Sequence, residues 1–319
     1  MITERETIHK NEVFMCTSVA MQFDKFYFGR NLDLEYDFGD GVVFMPRGYK
    51  INLRCSEQVN RHLAVFGMGI IMDGFPLFAE GANERGVCIA SLNFKGNAHY
   101  TNSKTQGKIN LAPFELIPYL LARCQTAEEA KEIFLKTNLM DIPFSDGMPN
   151  TPLHFHLADK CGSYTLEFTH NGARVYENPY GVLTNNPPFP YHAENAKMYM
   201  HLSNTQPKTE RLFTCGVGAV GLPGDYTSPS RFVKAAWLAR LQNGRHELSV
   251  FDVFSTLLSV APPRCAVITP DGKEHFTRYT CCIDTDDMIY YYQKHGTLDI
   301  HNVSFDNELF DTDKVIAFN

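Results

Sequence analysis

The sequence lacks the features that mark several common classes of protein. Its 319 residues include 29 Lys and Arg against 36 Asp and Glu, which gives a formal net charge of −7. Because a nucleic-acid binder needs a basic surface that neutralises phosphates, this composition argues against nucleic acid as a partner. No apolar run approaches the roughly 20 residues that a membrane-spanning helix needs, so we expect no membrane insertion.

The N-terminus lacks the apolar core of a secretory signal peptide. MITERETIHKNEVFM is mostly charged and polar. In the absence of both a signal and a span, we expect a cytoplasmic protein. The nine cysteines form no CxxC pair and no metal-binding spacing, so we expect eight of them to be reduced and mostly buried. Cys16 is the exception discussed below.

No pattern in the chain predicts a cofactor or a metal. His154 and His156 would share one face of a strand, but a third ligand for zinc is missing. The acidic residues 284, 286 and 287 lack the glycine and the terminal Glu of an EF-hand loop. The glycines of GLPGD are not followed by the Lys-Ser/Thr of a phosphate-binding loop.

The order of hydrophobic periods predicts an α+β chain rather than an alternating βαβ one. Strands are predicted at Phe14–Phe23, Phe26–Leu32, Leu63–Ile71, Val87–Phe94, Leu153–Leu157, Tyr164–Phe168, Gly172–Tyr176, His275–Ile283 and Met288–Gln293. Helices are predicted at Pro113–Cys124, after Thr126 with Glu129 in a capping box, after Ser228 or Ser230, and at Leu248–Val260. Two antiparallel sheets between helical layers would fit this order.

Cys16 is the residue whose position suggests chemistry. It follows Met15 and precedes the small Thr17, and methionine removal tolerates this setting. A cysteine at an N-terminus combines a thiol nucleophile with an α-amine that titrates near pH 8 and acts as its base. The alternative is a cysteine buried in a strand.

Arg30 and Asp33 lie in FGRNLDL, on the strand that a hairpin at Asp24-Lys25 would return beside Cys16. Arg30 would favour the thiolate and lower its pKa, and Asp33 would hold the amine or a substrate N–H. An Arg–Asp ion pair on a sheet surface is the alternative. Spacing does not separate these interpretations.

Five ordered blocks carry a resemblance to a known family. CTSVAMQF, YFGRNLDL, GANERGVCIASLNF, GVLTNNPPF and GLPGDYTSPSRFVKA resemble, in order and spacing, the choloylglycine hydrolases, which comprise bile salt hydrolases and penicillin V acylases. The likeness covers nearly the whole chain from Met15. It implies the four-layered αββα sandwich of N-terminal-nucleophile hydrolases, in a bacterial enzyme that is commonly a homotetramer.

The resemblance also implies roles for particular residues. Cys16 resembles the nucleophile, Arg30 the cation beside the thiolate, and Asp33 the anchor of the amine and the substrate. Asn93 falls where the family supplies an oxyanion-hole backbone N–H. Asn185, the first Asn of TNN, resembles the side-chain oxyanion donor, and Arg231, in SPSRF, matches the second active-site arginine. An amide and a backbone N–H are suitable neutral donors for a tetrahedral oxyanion.

The same resemblance suggests a substrate. Penicillin V acylases of this family typically place Tyr near the position of Asn93, whereas bile salt hydrolases have Asn. We therefore expect cleavage of an amphiphilic amide, namely a bile acid conjugated to glycine or taurine. Pro190, where relatives usually have an acidic residue, and Cys215, where they often have Arg, leave the choice of glycine or taurine open.

Two other functions remain as alternatives. The first is a penicillin V acylase or another N-acyl amidase on the same scaffold. The second is a non-catalytic amphiphile-binding protein in which the Cys16 nitrogen stays in a peptide bond. We expect residues 1–15 to be a leader, a propeptide or a misassigned start, and residues 16–319 to form a single N-terminal-nucleophile hydrolase domain.

Overall fold

The structure is a computed structural model that describes residues 15–34, 39–206, 218–270 and 272–318. Its strands are β1 (Met15–Gln22), β2 (Phe26–Leu34), β3 (Gly41–Met45), β4 (Val65–Met72), β5 (Phe75–Asn83), β6 (Cys88–Asn93), β7 (Ile109–Leu111), β8 (Thr137–Leu139), β9 (Leu153–Asp159), β10 (Gly162–Thr169), β11 (Gly172–Glu177), β12 (Val182–Leu183), β13 (Val267–Ile268), β14 (Glu274–Asp284), β15 (Ile289–Lys294), β16 (His301–Ser304) and β17 (Ile316–Phe318). Its α-helices are α1 (Leu116–Arg123), α2 (Ala127–Leu135), α3 (Phe189–Lys197), α4 (Ser228–Gln242), α5 (Val250–Leu258) and α6 (Asn307–Phe310).

Two large antiparallel sheets form the centre of the described chain. The first has seven strands, in the order β12-β1-β2-β14-β15-β16 with β13 paired to β14. The second has eight strands, in the order β11-β10-β9-β6-β5-β4-β3-β17. A small parallel pair, β7 and β8, lies apart from both sheets.

Each sheet carries helices on its outer face. Helices α4 and α5 pack on the seven-stranded sheet, and α1 and α2 pack on the eight-stranded one. One hydrophobic cluster lies between the two sheets and extends under α4 and α5, with Phe28, Phe44 and Phe66 fully buried. A second cluster lies between the eight-stranded sheet and α1 and α2. The layers therefore run α, β, β, α, as the family resemblance implied.

The tight hairpin that begins the first sheet is confirmed. Residues 23–25 connect β1 to β2, and Ser18 faces Arg30 across the pair. The predicted strand from Phe14 is observed from Met15 onward, and Phe14 lies outside the described residues. The other predicted strands and helices are also present, with boundaries shifted by a few residues and with a 3₁₀ turn at Pro113–Glu115 before α1.

Two capping predictions need correction. Helix α4 begins at Ser228, so its N-cap residue is Thr227, whose side chain makes no capping bond. Ser230 lies inside the helix, and its Oγ donates to Asp225 Oδ2. Thr126 caps α2 by accepting from the N–H of Glu129, as predicted. The reciprocal bond is different, because Glu129 Oε2 accepts from the N–H of Gln125 rather than from that of Thr126.

Strand β5 was not predicted from the hydrophobic pattern, although it lies near the middle of the second sheet. It contains Pro76, Glu80 and Gly81, which interrupt the expected alternation. A β-bulge at Ala79 separates the pairs Met68–Glu80 and Gly69–Phe78. Bulges turn carbonyls and side chains in new directions, and this one lies next to residues that are important for the site.

A close backbone approach beside Glu80 requires glycine at position 67. A Cβ atom on Gly67 would overlap the carbonyl oxygen of Glu80 on the neighbouring strand. We expect Gly67→Ala to lower the free energy of unfolding by about 2–4 kcal/mol, since buried backbone would have to move. Denaturant unfolding measures this effect. Gly147, whose added Cβ would meet nothing within 4 Å, provides the control Gly147→Ala, and equal stability of the two variants would contradict the prediction.

Candidate active site

The site is built around Cys16, the second residue of β1. Cys16 is 2% exposed and faces Leu32 of β2, which places Arg30 diagonally across the same face. Thr17 and Asp33 belong to the opposite face of the sheet by strand alternation. The Cys16 thiol is therefore directed between the two sheets, while the backbone at Cys16 is accessible to groups from the outer helical layer.

Arg30 approaches the thiol directly. Its Nη2 lies 2.9 Å from Cys16 Sγ, and its Nη1 donates to the carbonyl of Ala79 at 3.2 Å. Nη1 also forms an ion pair with Glu80 Oε2 at 3.2 Å, and both side chains are buried. The predicted proximity of Arg30 and Cys16 is thus observed. The partner of Arg30 is Glu80, not Asp33, so the surface ion pair considered as the alternative does not form.

Asn185 connects the Cys16 nitrogen to a second arginine. Its Oδ1 accepts from the backbone N–H of Cys16 at 2.7 Å and from Arg231 Nη2 at 2.9 Å. Its Nδ2 donates to the carbonyl of Asn93 at 3.0 Å. An amide nitrogen carries two protons, so one N–H of Asn185 remains for another acceptor. Asn93 and Asn185 are adjacent, as the family resemblance implied.

The backbone of Asn185 is held on both sides. Its N–H donates to Ser228 Oγ at 2.9 Å, and its carbonyl accepts from His192 Nε2 at 2.8 Å. Burial lowers the pKa of His192 to about 4. His192 is therefore neutral near pH 7, with its proton on Nε2. The Asn185 amide is positioned before any substrate arrives.

Arg231 lies in the first turn of α4 and contacts the start of β1. Its Nη1 donates to the carbonyl of Cys16 at 2.5 Å and to Thr17 Oγ1 at 2.7 Å. Its Nε donates to the carbonyl of Tyr226 at 3.0 Å. Arg231 is 1% exposed, and these oxygens replace the water that a guanidinium would otherwise bind.

Asp33 has one oxygen in use and one without a partner. Its Oδ1 accepts from Thr277 Oγ1 at 2.7 Å, and its Oδ2 is buried without a hydrogen bond among the described residues. Burial raises the pKa of Asp33 from 3.8 to about 6, against the opposing effects of Arg231, Thr277 and Arg30. The carboxylate is ionised near pH 7, and its Oδ2 can accept a further hydrogen bond.

The prediction that nearby arginines lower the Cys16 pKa is wrong for this chain, in which Met15 precedes Cys16. Burial raises the pKa of the thiol, and Arg30 and Arg231 only oppose that effect. The hairpin indicated Arg30 and the family resemblance indicated Arg231, but neither indicated the loss of solvent around the sulfur. The thiol is therefore uncharged until a base removes its proton, and its sulfur accepts from Arg30 Nη2.

Several contacts at the site were not predicted from the sequence. Glu80 supports Arg30, Thr277 supports Asp33, and Ser228 and His192 support Asn185. Glu80, Thr277 and Ser228 are distant in sequence from the residues that they support, whereas His192 follows Asn185 by seven residues, in α3. Only the helix start at Ser228 had a local signal, and that signal was interpreted as a cap.

The two strand histidines serve as internal hydrogen-bonding groups. His154 Nε2 lies 2.8 Å from the carbonyl of Thr184, and His156 contacts Ser18 Oγ at 2.8 Å and Ser163 Oγ at 2.9 Å. Burial lowers the pKa of His156 to about 3. Within the part of the chain described, no cluster of three or more His, Cys, Asp or Glu side chains is arranged to hold a metal ion.

The apolar stretches around Phe66–Phe78 and residues 138–144 contribute mainly to the core. Phe66 packs at a tilt against Phe305 between the sheets, and Phe75 packs on Phe144. These four rings are buried, and Phe114 is partly buried against Phe75 and Phe144. Among the described residues, no helix is both long and apolar enough to cross a bilayer.

An αββα fold that holds a cysteine, two buried arginines and an asparagine amide at one strand end defines an amide-hydrolase architecture. The sequence profile described as linear amide C–N hydrolases, choloylglycine hydrolase family, matches residues 16–318. The chain belongs to the choloylglycine hydrolase family.

Named relatives agree with this assignment. A bile salt hydrolase/transferase from Lactiplantibacillus plantarum is 39% identical over 313 residues, covering 95% of this chain and 96% of the relative. One from Clostridium perfringens is 35% identical over 317 residues, covering 95% and 96%. The crystal structure of a mutant conjugated bile acid hydrolase from C. perfringens superimposes with a TM-score of 0.88 at 32% identity, over 96% of this chain and 97% of the other.

A more distant structure shares the fold. The penicillin V acylase from Agrobacterium tumefaciens superimposes with a TM-score of 0.74 at 20% identity, over 94% of this chain and 90% of the other. This likeness establishes the common architecture.

We expect the Asp33 carboxyl to take up a proton as the pH falls through about 6. Because its pKa in the fold exceeds that of an unfolded chain, Asp33 favours folding below about pH 4 and this contribution is lost as the pH rises through about 6. Titration of carboxyl ¹³C resonances would measure this pKa, with Asp33→Asn identifying the signal. A midpoint near 4 would contradict the prediction.

Proposed function

We propose that this chain hydrolyses conjugated bile salts at the amide bond between the bile acid and glycine or taurine. The observation that carries the proposal is the arrangement at Cys16: Sγ lies 2.9 Å from Arg30, and Asn185 Oδ1 lies between the Cys16 nitrogen and Arg231. Relatives at 39% and 35% identity over nearly the whole chain are named bile salt hydrolase/transferase.

In this proposal Cys16 is the nucleophile, and residues 1–15 precede its working N-terminus. Residues 16–319 then form a single catalytic domain, and residues 1–15 are a leader, a propeptide or a misassigned start. The Cys16 nitrogen of the present chain is in a peptide bond and donates its single proton to Asn185 Oδ1. A free α-ammonium has three protons. Oδ2 of Asp33, which has no hydrogen-bond partner within the described part of the chain, offers an additional acceptor.

The free amine also compensates for the raised pKa of the thiol. An uncharged α-amine at Cys16 can accept the thiol proton directly, which forms an ammonium beside a thiolate. Arg30 then stabilises the thiolate, and Asp33 stabilises the ammonium. Protonation of Asp33 would remove this anchor. Because the ammonium lowers the Asp33 pKa below the value of about 6 that it has beside a peptide nitrogen, activity should decline at a pH below 6.

Asn93 and Asn185 would stabilise the oxyanion. The second N–H of Asn185 is one neutral donor, and the backbone N–H of Asn93 is the other. Asn93 Nδ2 is buried and has no partner among the described residues, so it offers a further donor to the substrate. Donors already aimed at the developing charge lower the barrier without reorganisation.

The reaction then proceeds in two balanced halves. The Cys16 thiolate attacks the amide carbon, and the carbonyl oxygen becomes an oxyanion. The C–N bond breaks, the leaving amine takes the proton from the Cys16 ammonium, and a thioester remains. Water attacks the thioester and gives its proton to the Cys16 amine, and the C–S bond breaks to release the carboxylic acid and restore the thiolate.

Asn93 favours bile salts over penicillin V, since the family's penicillin V acylases typically carry Tyr near that position. The second candidate function is that of a penicillin V acylase or another N-acyl amidase, and only the shared fold supports it. A silent amphiphile-binding protein would retain the peptide bond at Cys16. We further propose a homotetramer, which rests on the family resemblance, and a cytoplasmic location, which rests on the lack of a signal-like or membrane-spanning apolar run.

Turnover and intact mass together test the function. We expect the purified active protein to begin at Cys16 and to release glycine or taurine from glycocholate or taurocholate faster than it cleaves penicillin V. The control Cys16→Ala removes the thiol and should abolish release. Faster cleavage of penicillin V would contradict the substrate, and a retained leader without amidase activity would favour the silent binding protein.

Replacement of Asn185 tests the proposed oxyanion donor. We expect Asn185→Ala to lower kcat about 100- to 1,000-fold, since one pre-aimed donor is lost. Steady-state kinetics on glycocholate measure this effect. Asn171→Ala, in the exposed turn between β10 and β11, serves as the control. If a folded Asn185→Ala enzyme retained activity within fivefold of wild type, Asn185 would not be a donor in the rate-limiting step.

A further inference from the structure

A buried carboxylate lies behind Arg30, on the side away from Cys16. Glu80 extends from β5 of the eight-stranded sheet and meets Arg30 of β2 in the seven-stranded sheet. Glu80 has no exposed surface, and Arg30 is 1% exposed. Cys16, Arg30 and Glu80 thus form a row of ionisable groups across the interface between the sheets.

The contacts of Glu80 fit an ionised carboxylate. Its Oε2 accepts from Arg30 Nη1 at 3.2 Å and from the hydroxyl of Tyr279 at 2.7 Å. Its Oε1 accepts from the hydroxyl of Tyr290 and has the thiol of Cys281 at 3.6 Å. A carboxylate accepts and does not donate, and the arginine can only donate to it.

This row has a consequence for the Cys16 reaction. In the proposed mechanism the sulfur is negative before attack and neutral as a thioester. Arg30 would have no counter-ion in the thioester state if Cys16 were its only anionic neighbour. An unpaired buried guanidinium is costly. Glu80 keeps the same charge throughout and therefore provides a permanent counter-ion.

Glu80 also determines where Arg30 points. Nη1 has two acceptors, Glu80 Oε2 and the carbonyl of Ala79, the bulged residue next to it. With Nη1 held there, the rigid planar guanidinium directs Nη2 at Cys16 Sγ. The bulge in β5 and the close approach at Gly67 position this pair of acceptors.

We propose that Glu80 is a positioning residue for the amide hydrolysis: its carboxylate holds the Arg30 guanidinium against Cys16 Sγ and balances its charge when the sulfur is neutral. This inference rests on the proposed function of Cys16. Glu80 does not contact the sulfur, so it acts through Arg30. Its negative charge also limits how strongly Arg30 stabilises the thiolate.

The electrostatic surroundings of this row are defined by a few groups. Burial raises the pKa of Glu80, while Arg30 and the two phenols oppose that effect. His156, which bonds Ser18 of β1, is neutral near pH 7 because burial lowers its pKa to about 3. The other titratable or charged groups with electrostatic effects on Cys16, Arg30 or Glu80 are Asp33, Arg231, Tyr279, Cys281 and Tyr290.

Glu80→Gln tests the proposal, because it keeps the shape of the side chain and removes its charge. The Gln amide oxygen can still accept from Arg30 Nη1 and so keep the guanidinium in place, but it no longer balances the charge of Arg30. Arg30 should then stabilise the thiolate more, so the variant should be alkylated by iodoacetamide at Cys16 roughly tenfold faster than wild type on the acidic side of the profile. The acid limb of kcat/KM should move to lower pH in parallel. Peptide masses after alkylation from about pH 4 to about pH 10 measure the thiolate without turnover.

Two matched variants separate charge from packing. Tyr290→Phe removes a donor that helps to keep Glu80 ionised, so any change in its alkylation profile should be smaller than that of Glu80→Gln and in the same direction. Glu84→Gln makes the same substitution as Glu80→Gln in a different ion pair, with Arg47, and its alkylation profile should match wild type. A folded Glu80→Gln protein with the wild-type alkylation profile would overturn the proposal, since a purely structural role predicts no change there.

If Glu80→Gln does not fold, the double variant Arg30→Gln/Glu80→Gln decides. Restored folding would support Glu80 as the counter-ion of Arg30, because the double variant no longer contains the unpaired buried guanidinium that Glu80→Gln leaves behind. A double variant no more stable than the single one would contradict it. Failure of the proposed function can be distinguished from failure of this inference. If the function is wrong, wild type releases no glycine or taurine, but the alkylation profiles of Glu80→Gln and its control variants can still be compared.

Discussion

Two guanidinium groups are buried at the start of one strand, and the site depends on how they are satisfied. Arg30 and Arg231 are each 1% exposed, so protein acceptors must replace their water. Those acceptors include the sulfur and the carbonyl oxygen of Cys16 and the hydroxyl of Thr17. Satisfying the arginines therefore fixes the proposed nucleophile in place.

The fold supplies these acceptors from both sides of the first sheet. Arg30 lies toward the second sheet and meets Glu80 and the bulged Ala79 of β5. Arg231 comes from α4, in the outer helical layer, and reaches the Cys16 carbonyl and Asn185. The sulfur thus contacts a group between the sheets, whereas the Cys16 nitrogen contacts Asn185. Arg231 and the Asp33 carboxylate act on the thiol only through their charges, across the sheet.

Local sequence predicted the parts of the site that lie on one hairpin. The turn at Asp24-Lys25 implies that β2 returns beside β1, and this was sufficient to place Arg30 near Cys16. Asn93, Asn185 and Arg231 are far from Cys16 in sequence, and only the family resemblance brought them together. The four layers were likewise implied by the family, while the pattern alone gave an α+β order.

The remaining features depend on burial, which residue spacing does not reveal. Glu80 was missed because it lies in β5, where Pro76 and Gly81 obscure the strand pattern. Arg30 was assigned a lowering effect on the Cys16 pKa, but the loss of water around the sulfur outweighs it. The partners of Asn185 belong to α3 and α4, so they appear only when the chain is folded.

The central claim is that Cys16 forms a covalent bond with the acyl group of the substrate. Acid quenching during glycocholate turnover, followed by mass spectrometry of the intact protein and its peptides, tests this most directly. We expect an added cholyl mass on a peptide that begins with Cys16, carried as a thioester that hydroxylamine removes. An acyl group on another residue, or equal turnover by Cys16→Ala, would contradict it.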